Sequence, residues 1–347
     1  MTYDIVIIGA GPAGSTLARL LSEKYSVLIV DKRDLDNSSI HKSNLKKSCG
    51  GLLSPDTQKI LSTLGLGLPE EILTGPQMFS VKTIDFDNLI ERHYQRHYIN
   101  INREKFDKWL VSLIGKNTDL KMNCFFKKYF LKNGLIKVKL RSNGNDFYVN
   151  TKILIGADGS LSLIRNEAFK CSPKTDEYIS IEESYTADST IPYFISIFDK
   201  DITDFYSWII QKQNYLLLGT AIPKKENINE KFKLLKDKLN DKGFNFQKVH
   251  TRTGTLILRP RKIKQISLVN NENIALVGEA SGLISPSSAD GISYALKSAI
   301  CLADSINLDF DNFQNLYKKK SLKLKLNILE KNIKLPFIYN SNLRKII

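Results

Sequence analysis

The chain begins with Tyr3-Asp4-Ile5-Val6-Ile7-Ile8-Gly9-Ala10-Gly11-Pro12-Ala13-Gly14, an apolar run that leads directly into a glycine-rich turn. The apolar run predicts a buried strand, the next residues predict a helix over 15–24, and 26–30 predicts a second strand that Asp31 closes. The three glycines permit a tight turn, close approach of a pyrophosphate, and packing of the helix on the strand. Asp31 follows Gly9 by 22 residues, where a ribose-binding acid is expected. The segment therefore predicts a dinucleotide site at a helix N-terminus.

Two later segments repeat the order of strand and glycine turn. Residues 152–155 lead into Gly156-Ala157-Asp158-Gly159, and 273–277 lead into Gly278-Glu279-Ala280-Ser281-Gly282, with a helix predicted from about 291 to 306. We expect all three strands in one sheet, which makes this α/β, Rossmann-like domain discontinuous. Short aromatic and β-branched runs between 178 and 223 predict an antiparallel meander. A polar helix over 229–241 and a strand over 255–259 are predicted to follow it.

Composition limits the classes of protein. The chain has 347 residues, of which 42% are hydrophobic, and this excludes disordered and collagen-like chains. With 51 Lys+Arg against 36 Asp+Glu the net charge is +15, which is typical of a protein with an anionic partner or a lysine-rich surface. The four cysteines lack CxxC spacing, which favours a reduced, cytoplasmic setting without zinc or disulfides. No run is long enough to span a membrane, and no signal peptide is predicted.

The second and third turns resemble those of a known superfamily. Residues 156–165 read G-A-D-G-x-x-S-x-x-R and resemble the FAD-dependent oxidoreductases of the p-hydroxybenzoate-hydroxylase superfamily. Gly278-Glu279-Ala280 resembles its Gly-Asp-Ala signature, with Glu in place of the commoner Asp. The resemblance implies non-covalently bound FAD. The cofactor-binding residues that it implies are Gly9, Gly11, Pro12, Ala13, Gly14, Asp31, Lys32, Cys49, Gly50, Arg103, Asp158, Gly278, Glu279, Pro286, Gly291 and Ile292.

A narrower resemblance is to the geranylgeranyl reductase family. Lys47-Ser48-Cys49-Gly50-Gly51-Leu52-Leu53-Ser54-Pro55 resembles its Cys-Gly-Gly segment, and Pro286 and Gly291 match its P-x-x-x-x-G. Tyr206-Ser207-Trp208 resembles the start of its Tyr-x-Trp motif, although Ile210-Gln211 departs from the rest. The pattern is closest to the short bacterial branch often labelled Cbr-type. The resemblance implies catalytic roles for Cys49, Gly50 and Gly51 and a substrate slot walled by Tyr206, Trp208 and Tyr215. The alternatives are inert packing of Cys49 and ordinary sheet core for each aromatic residue.

The expected function is reduction of a carbon–carbon double bond in an apolar isoprenoid or lipid, with NAD(P)H or ferredoxin as electron donor. A flavin monooxygenase and a non-catalytic FAD-binding protein with a membrane or envelope-stress role are the alternatives. The expected FAD-binding domain comprises 1–60, 100–165 and 265–310, and the mainly antiparallel β substrate domain comprises 61–99 and 166–264. Neither a metal site at His93 and His97 nor binding of nucleic acid is expected. The oligomeric state is left open.

The third expected segment, 311–347, is basic and helical. Residues 317–347 hold nine Lys or Arg and one acid, and Leu322, Leu326, Leu329 and Ile333 recur at helical spacing until Pro336 interrupts the pattern. One interpretation is a basic amphipathic helix that contacts an anionic membrane, which would place the protein at the inner face of the membrane. The other, which the frequency of such surface helices favours, packs the Leu face on the domain with its lysines in water.

Overall fold

The computed structural model describes residues 1–35, 49–187, 189–246 and 248–345. Two compact units divide the chain: unit 1 comprises 1–45, 106–175 and 260–330, and unit 2 comprises 46–105, 176–259 and 331–347. The segments 46–60 and 100–105, expected in the FAD-binding domain, lie in unit 2. The basic segment 311–347 is divided between the units after residue 330.

Fifteen strands and nine α-helices occur in the described ranges. The strands are β1 (Thr2–Ile8), β2 (Val27–Val30), β3 (Leu52–Leu53), β4 (Met78–Asp85), β5 (Ile90–Asn100), β6 (Thr118–Lys121), β7 (Cys124–Lys132), β8 (Leu135–Ser142), β9 (Asn145–Gly156), β10 (Asp176–Thr186), β11 (Phe194–Phe198), β12 (Ser207–Lys212), β13 (Tyr215–Pro223), β14 (Val249–Arg259) and β15 (Ile274–Leu276). The helices are α1 (Pro12–Leu21), α2 (Pro55–Thr63), α3 (Arg103–Ser112), α4 (Leu163–Ala168), α5 (Ile228–Asn240), α6 (Ile292–Leu308), α7 (Phe313–Lys320), α8 (Leu322–Tyr339) and α9 (Ser341–Arg344).

Unit 1 is built on a seven-stranded sheet in the order β6-β2-β1-β9-β8-β7, with β15 paired to the end of β9. Strands β6, β2, β1, β9 and β15 are parallel, whereas β8 and β7 form antiparallel pairs. Successive residues of β1 point to opposite faces, so Ile5 and Ile7 join one hydrophobic core while Val6 and Ile8 join another. Both faces of β1 are therefore buried, which explains its unbroken apolar sequence.

The sheet of unit 2 has eight strands in the order β14-β10-β13-β12-β11-β4-β5-β3. The pairs among β10 to β14 are antiparallel, as predicted, and β11 pairs with β4 in parallel. The predicted meander is wrong for β10, which lies beyond β13 and not beside β11. Its place beside β11 is taken by β4, which pairs with the outer edge of that strand. Helix α5 covers one face, where Phe232, Leu235 and Leu239 join the core.

The predicted helices are present, and two of them differ clearly from their predicted bounds. Helix α1 begins and ends three residues before the predicted range of 15–24, and its early start fits Pro12, because proline is well suited to the first turn of a helix. Pro336 was expected to end the C-terminal helix, but α8 continues through it to Tyr339. The ring of Tyr339 lies 5.5 Å from that of Phe205 and 5.7 Å from that of Phe198, and these contacts fix the last turn.

The expectation that the Leu face of the C-terminal helix packs on the domain is also wrong. Leu326 and Ile333 are 59% and 65% exposed, whereas Leu324 and Ile328 on the opposite side are buried in the core of unit 1. No helix in the described ranges is both long enough and apolar enough to cross a membrane.

Candidate functional site

The first glycine turn leaves open space only at its middle glycine. Gly9 has φ of +107°, and a Cβ there would lie 2.5 Å from the carbonyl oxygen of Ala157. A Cβ at Gly14 would lie 1.8 Å from the Gly9 carbonyl oxygen, so neither position admits a side chain. At Gly11, by contrast, the nearest atom to such a Cβ is Arg33 Nη2 at 3.8 Å. The space lies beside the start of α1, where amide groups lack helical partners and the dipole favours an anion, so the turn fits a pyrophosphate.

The other two turns lie against the first. Because β1, β9 and β15 are parallel neighbours, the turns that follow them meet at one edge of the sheet. A Cβ at Gly278 would lie 3.2 Å from Cβ of Ala13, the second residue of α1. The structure thus brings together the three predicted glycine segments, all within unit 1.

The Arg165 side chain connects the second glycine turn to the third through hydrogen bonds. Its Nη1 donates to the carbonyl oxygens of Glu279 and Ala280 at 3.3 Å each, and its Nη2 donates to the Ser160 carbonyl oxygen at 2.6 Å. Ser162 caps α4 by accepting from the Arg165 amide. The arginine of the G-A-D-G-x-x-S-x-x-R segment therefore holds backbone in place.

The carboxylate of Asp31, the predicted ribose-binding acid, already accepts four hydrogen bonds from protein groups. Its Oδ2 accepts from the Ala10 amide at 2.7 Å and Arg33 Nη2 at 3.0 Å, and its Oδ1 accepts from the Arg33 amide at 2.8 Å and Nε at 3.1 Å. Arg33 Nη1 also donates to Asp107 at 2.9 Å. Since a carboxylate has about four acceptor positions, a ribose hydroxyl would share an occupied one. Sequence analysis missed Arg33, while the predicted Lys32 is exposed.

Asp158 presents an incompletely bonded carboxylate at the edge of the sheet. Its Oδ2 accepts from the Leu163 amide at 2.8 Å, whereas its buried Oδ1 has no hydrogen-bond partner among the residues that the structure describes. Burial raises the pKa of this carboxyl group. A buried polar atom without a partner is rare in a folded protein and is satisfied readily by a bound hydroxyl or water. Asp158 therefore fits the predicted cofactor role.

The third turn and the start of α6 enclose two acidic side chains. Glu279 is buried in a short 3-10 turn, Gly278–Ser281, directly after β15. Gly291 precedes α6, which begins at Ile292, and buried Pro286 lies on the loop before it. Asp290, which sequence analysis missed, accepts from the Ser293 amide at 3.2 Å and from its hydroxyl at 2.9 Å. An acid at the start of α6, where Gly291 and Ile292 are expected to bind the cofactor, lowers the capacity of this helix end to bind an anion.

In unit 2, Gly50 and Gly51 pack against one side of β12. Trp208, Ile210 and Lys212 alternate along this strand and therefore share a face. A Cβ at Gly50 would lie 2.6 Å from Ile210 Cδ1, and one at Gly51 would lie 2.7 Å from Lys212 Nζ. Close contact with β12 thus accompanies Gly50, whereas Gly51 is required by its φ of +60° and by the Ile101 carbonyl oxygen, 2.5 Å from an added Cβ. The first two residues of the predicted segment, Lys47 and Ser48, lie outside the described residues.

Lys212 is a half-buried side chain with an enclosed amine, and sequence analysis missed it. Its Nζ donates to the carbonyl oxygens of Gly51 and Ile101 at 3.0 Å each and to Asn100 Oδ1. These three acceptors match the three N–H groups of a protonated amine. Burial lowers the pKa of Lys212 to about 7. Lys212 therefore links the Gly50-Gly51 segment to the end of β5 through hydrogen bonds, and its amine gains or loses a proton near neutral pH.

Trp208 lies in a row of side chains that crosses three strands. Its Nε1 donates to Glu182 Oε1 at 3.2 Å, and Glu182 is 3% exposed. Gly219 on β13 lies between them, opposite both Trp208 and Glu182. A Cβ at Gly219 would lie 2.4 Å from the indole, so this glycine makes room for the ring. The row fixes the orientation of Trp208 and buries a carboxylate beside it.

The predicted substrate residues do not all lie together. The ring of Tyr206 lies 5.5 Å from that of Trp208 and 4.8 Å from that of Phe205. Tyr215 pairs with Lys212 at the hairpin turn, is 44% exposed, and has its ring 5.1 Å from that of His250. Tyr206 and Trp208 therefore form one aromatic group, from which Tyr215 is separate.

Cys49 and Arg103, both of which the resemblance implies as cofactor-binding, contact each other. Arg103 Nη1 donates to Cys49 Sγ at 3.3 Å. Arg103 begins α3, and Asn102 caps this helix, since its Oδ1 accepts from the Lys105 amide at 3.1 Å. Within unit 2 these side chains can hold a polar group beside the thiol.

Comparison with known proteins identifies the family. A sequence model of the NAD(P)-binding Rossmann-like domain matches residues 7–35. Protein CbrA of Escherichia coli O6:H1 (strain CFT073) is 35% identical over 343 residues, which cover 99% of this chain and 92% of CbrA. The chain belongs to the CbrA family.

Solved structures show which fold this CbrA-family chain has. A geranylgeranyl bacteriochlorophyll reductase-like protein from Thermoplasma acidophilum matches all of the chain and 90% of its own, with a TM-score of 0.81 and 20% identity. PqsL of Pseudomonas aeruginosa, a probable FAD-dependent monooxygenase, matches 100% of the chain and 99% of its own, with a TM-score of 0.71 and 14% identity. The CbrA-family chain therefore has the FAD-dependent oxidoreductase fold, a Rossmann-like α/β domain with a second β-sheet and C-terminal helices.

Proposed function

We propose that this protein binds FAD non-covalently and is an oxidoreductase. The observation that supports FAD is the meeting of three glycine turns at one edge of the unit 1 sheet, with open space at Gly11. The start of α1 would hold the pyrophosphate, and Asp158 and Glu279 would accept hydrogen bonds from cofactor hydroxyl groups. Arg33 would hold Asp31 in place beside the ribose.

The reaction that we propose is reduction of a carbon–carbon double bond in an apolar isoprenoid or lipid. A bound FAD supplies hydride transfer in such a reaction. The chain would supply an apolar surface from Tyr206, Trp208 and Ile210 and a proton for the second alkene carbon. Cys49 Sγ, which accepts a hydrogen bond from Arg103, is the proposed proton donor. Lys212 would hold the Gly50-Gly51 segment in position.

The electron donor belongs to the same proposal. The chain has one GxGxxG motif, at 9–14, and the FAD proposal uses it. NAD(P)H or ferredoxin would therefore bind transiently, because the sequence contains no second dinucleotide-binding motif that could hold NAD(P)H.

A flavin monooxygenase is the second candidate. The match to PqsL, a probable FAD-dependent monooxygenase, favours it, because the same fold serves both chemistries. The Cys-Gly-Gly segment and the Tyr206–Trp208 pair favour the reductase by their resemblance to geranylgeranyl reductases.

Product mass separates the candidates. Purified protein is loaded with FAD, reduced without oxygen, and mixed with polyprenyl substrates while reoxidation of the flavin is followed. A product heavier by two hydrogens supports the reductase. A product heavier by one oxygen, formed only after air is admitted, replaces it with the monooxygenase. Protein that is colourless and refuses added FAD overturns both and leaves a non-catalytic role.

A further inference from the structure

Helix α8 carries an apolar stripe on its exposed side. Leu322, Leu326, Leu329, Ile333 and Phe337 are 53%, 59%, 41%, 65% and 50% exposed. Their spacing of four, three, four and four residues keeps them on one face over about 22 Å of helix. Single exposed apolar residues are common, but a continuous row of five large ones marks an interaction surface. We call these five residues the α8 stripe.

The α8 stripe is presented by a helix that is itself well fixed. On the opposite side Leu324, Ile328 and Leu335 are 7%, 0% and 5% exposed. The Tyr294 hydroxyl also donates to Asn327 Oδ1 at 2.5 Å. Because packing on the opposite side fixes the helix, the stripe cannot bury itself by rotation of the helix. Among the residues that the structure describes, none can cover the stripe, so we look to an outside surface as its partner.

The charge around the α8 stripe indicates what covers it. Lys318, Lys319, Lys320, Lys323 and Lys334 are exposed on α7 and α8, whereas α8 contains one acid, Glu330. Arg344 does not add to this surface, because it is buried in ion pairs of 2.7 Å with Asp85 and Asp87. An apolar row flanked by lysines is typical of helices that lie in the plane of an anionic membrane.

We propose that the α8 stripe docks on the surface of an anionic lipid membrane. The five apolar side chains would enter the boundary of headgroups and acyl chains, while the lysine stems extend and place their ammonium groups among lipid phosphates. A second copy of the chain fits less well, because a symmetric contact through this face brings lysines against lysines. The proposal does not depend on FAD or on the proposed reaction.

Vesicle flotation with the full-length protein tests this proposal. We expect binding to vesicles of equal parts phosphatidylcholine and phosphatidylglycerol, at least tenfold weaker binding to phosphatidylcholine alone, and release by high salt. L326S/I333S and K323E/K334E should each bind the anionic vesicles at least tenfold more weakly. L131S is the matched control, since Leu131 is 54% exposed beside Lys132 on β7 and should bind as the wild type does.

Three results would overturn the proposal. One is equal binding of the wild type to both kinds of vesicle, or to neither. Another is unchanged binding of L326S/I333S, with its fold verified by circular dichroism. The third is a concentration-dependent dimer, seen by sedimentation velocity, that L326S/I333S abolishes, which would assign the stripe to a second copy.

Discussion

The two units use different parts of the chain to build their candidate sites. In unit 1 the site is made of backbone turns, and glycine is required because a Cβ at Gly9 or Gly14 would meet a carbonyl oxygen. In unit 2 it is made of side chains along β12, which meet Gly51, Asn100 and Glu182 from other segments. Backbone turns require glycine at particular positions, so the site in unit 1 is visible in the sequence. The side chains of unit 2 come together only when the strands pair, so their grouping is not visible in the sequence.

The largest expected effect tests the backbone side of this comparison. Gly14→Ala places a Cβ 1.8 Å from the Gly9 carbonyl oxygen, between strand and helix. We expect the free energy of unfolding to fall by more than about 4 kcal/mol. Urea unfolding followed by circular dichroism measures this. The control is Gly134→Ala in the β7–β8 turn, where no atom lies within 4 Å of the added Cβ and only backbone strain at φ +73° contributes. Equal losses in the two variants would refute the packing argument.

The next effect tests the side-chain cluster through pH. Burial lowers the pKa of Lys212 to about 7, whereas an unfolded lysine has a pKa of about 10.4. Between these values the unfolded chain binds a proton that the folded chain lacks, so this group makes the free energy of unfolding rise with pH. Below pH 7 both states are protonated and the contribution is constant.

Lys212→Met should remove this dependence. From pH 7 to 10 the wild type should gain up to about 4 kcal/mol relative to the variant. Denaturant titrations across this range measure the difference, with Lys132→Met on exposed β7 as the control. Parallel pH profiles for the wild type and Lys212→Met would contradict a lowered pKa for the Lys212 amine.

A third prediction tests whether the first turn is needed for FAD binding independently of folding. Gly11→Val fills open space next to α1, so the fold should survive while the affinity for FAD falls by a hundredfold or more, about 3 kcal/mol. Quenching of flavin fluorescence measures binding, and the melting temperature of the apoprotein is the control. If this variant bound FAD with wild-type affinity, the pyrophosphate could not lie in the space beside Gly11.

The smallest effect on the folded protein is expected at Cys49. Cys49→Ala removes the hydrogen bond from Arg103 and should cost about 1 kcal/mol, with FAD binding unchanged. If Sγ donates the proton, turnover should still fall about a hundredfold. Turnover equal to that of the wild type would leave Cys49 with a packing role alone.

The sequence predicted unit 1 well because its signals are local. The β1 turn, the 152–159 and 273–282 segments and α6 each combine a buried strand or helix with glycines that the backbone needs. What it missed there is that Arg33 pairs with both Asp31, two residues earlier, and Asp107, 74 residues later in the chain. An arginine close to an acid in the sequence does not reveal such an ion pair, because the chain contains many basic and acidic residues.

The cluster of unit 2 was predicted only in part. Cys49, Gly50, Tyr206 and Trp208 were found by resemblance, but Lys212 and Glu182 are ordinary residues of strand sequences until pairing places them beside Gly51 and Trp208. On α8 the regular Leu spacing indicated the buried face. The less regular set Leu324, Ile328 and Leu335 is buried instead, because either apolar face suits a core.

The bridge formed by Arg165 has a consequence for biosynthesis. It joins the second turn to Ala280, 115 residues later, and β15 completes the sheet beside β9 from the same distant segment. The strands of unit 2 from β10 to β14 are translated between these two points. A nascent chain therefore carries its first two glycine turns with the last residues of β9, 154–156, unpaired on one side until β15 leaves the ribosome. If the three turns bind FAD as proposed, they do so together only after residue 282 has been translated.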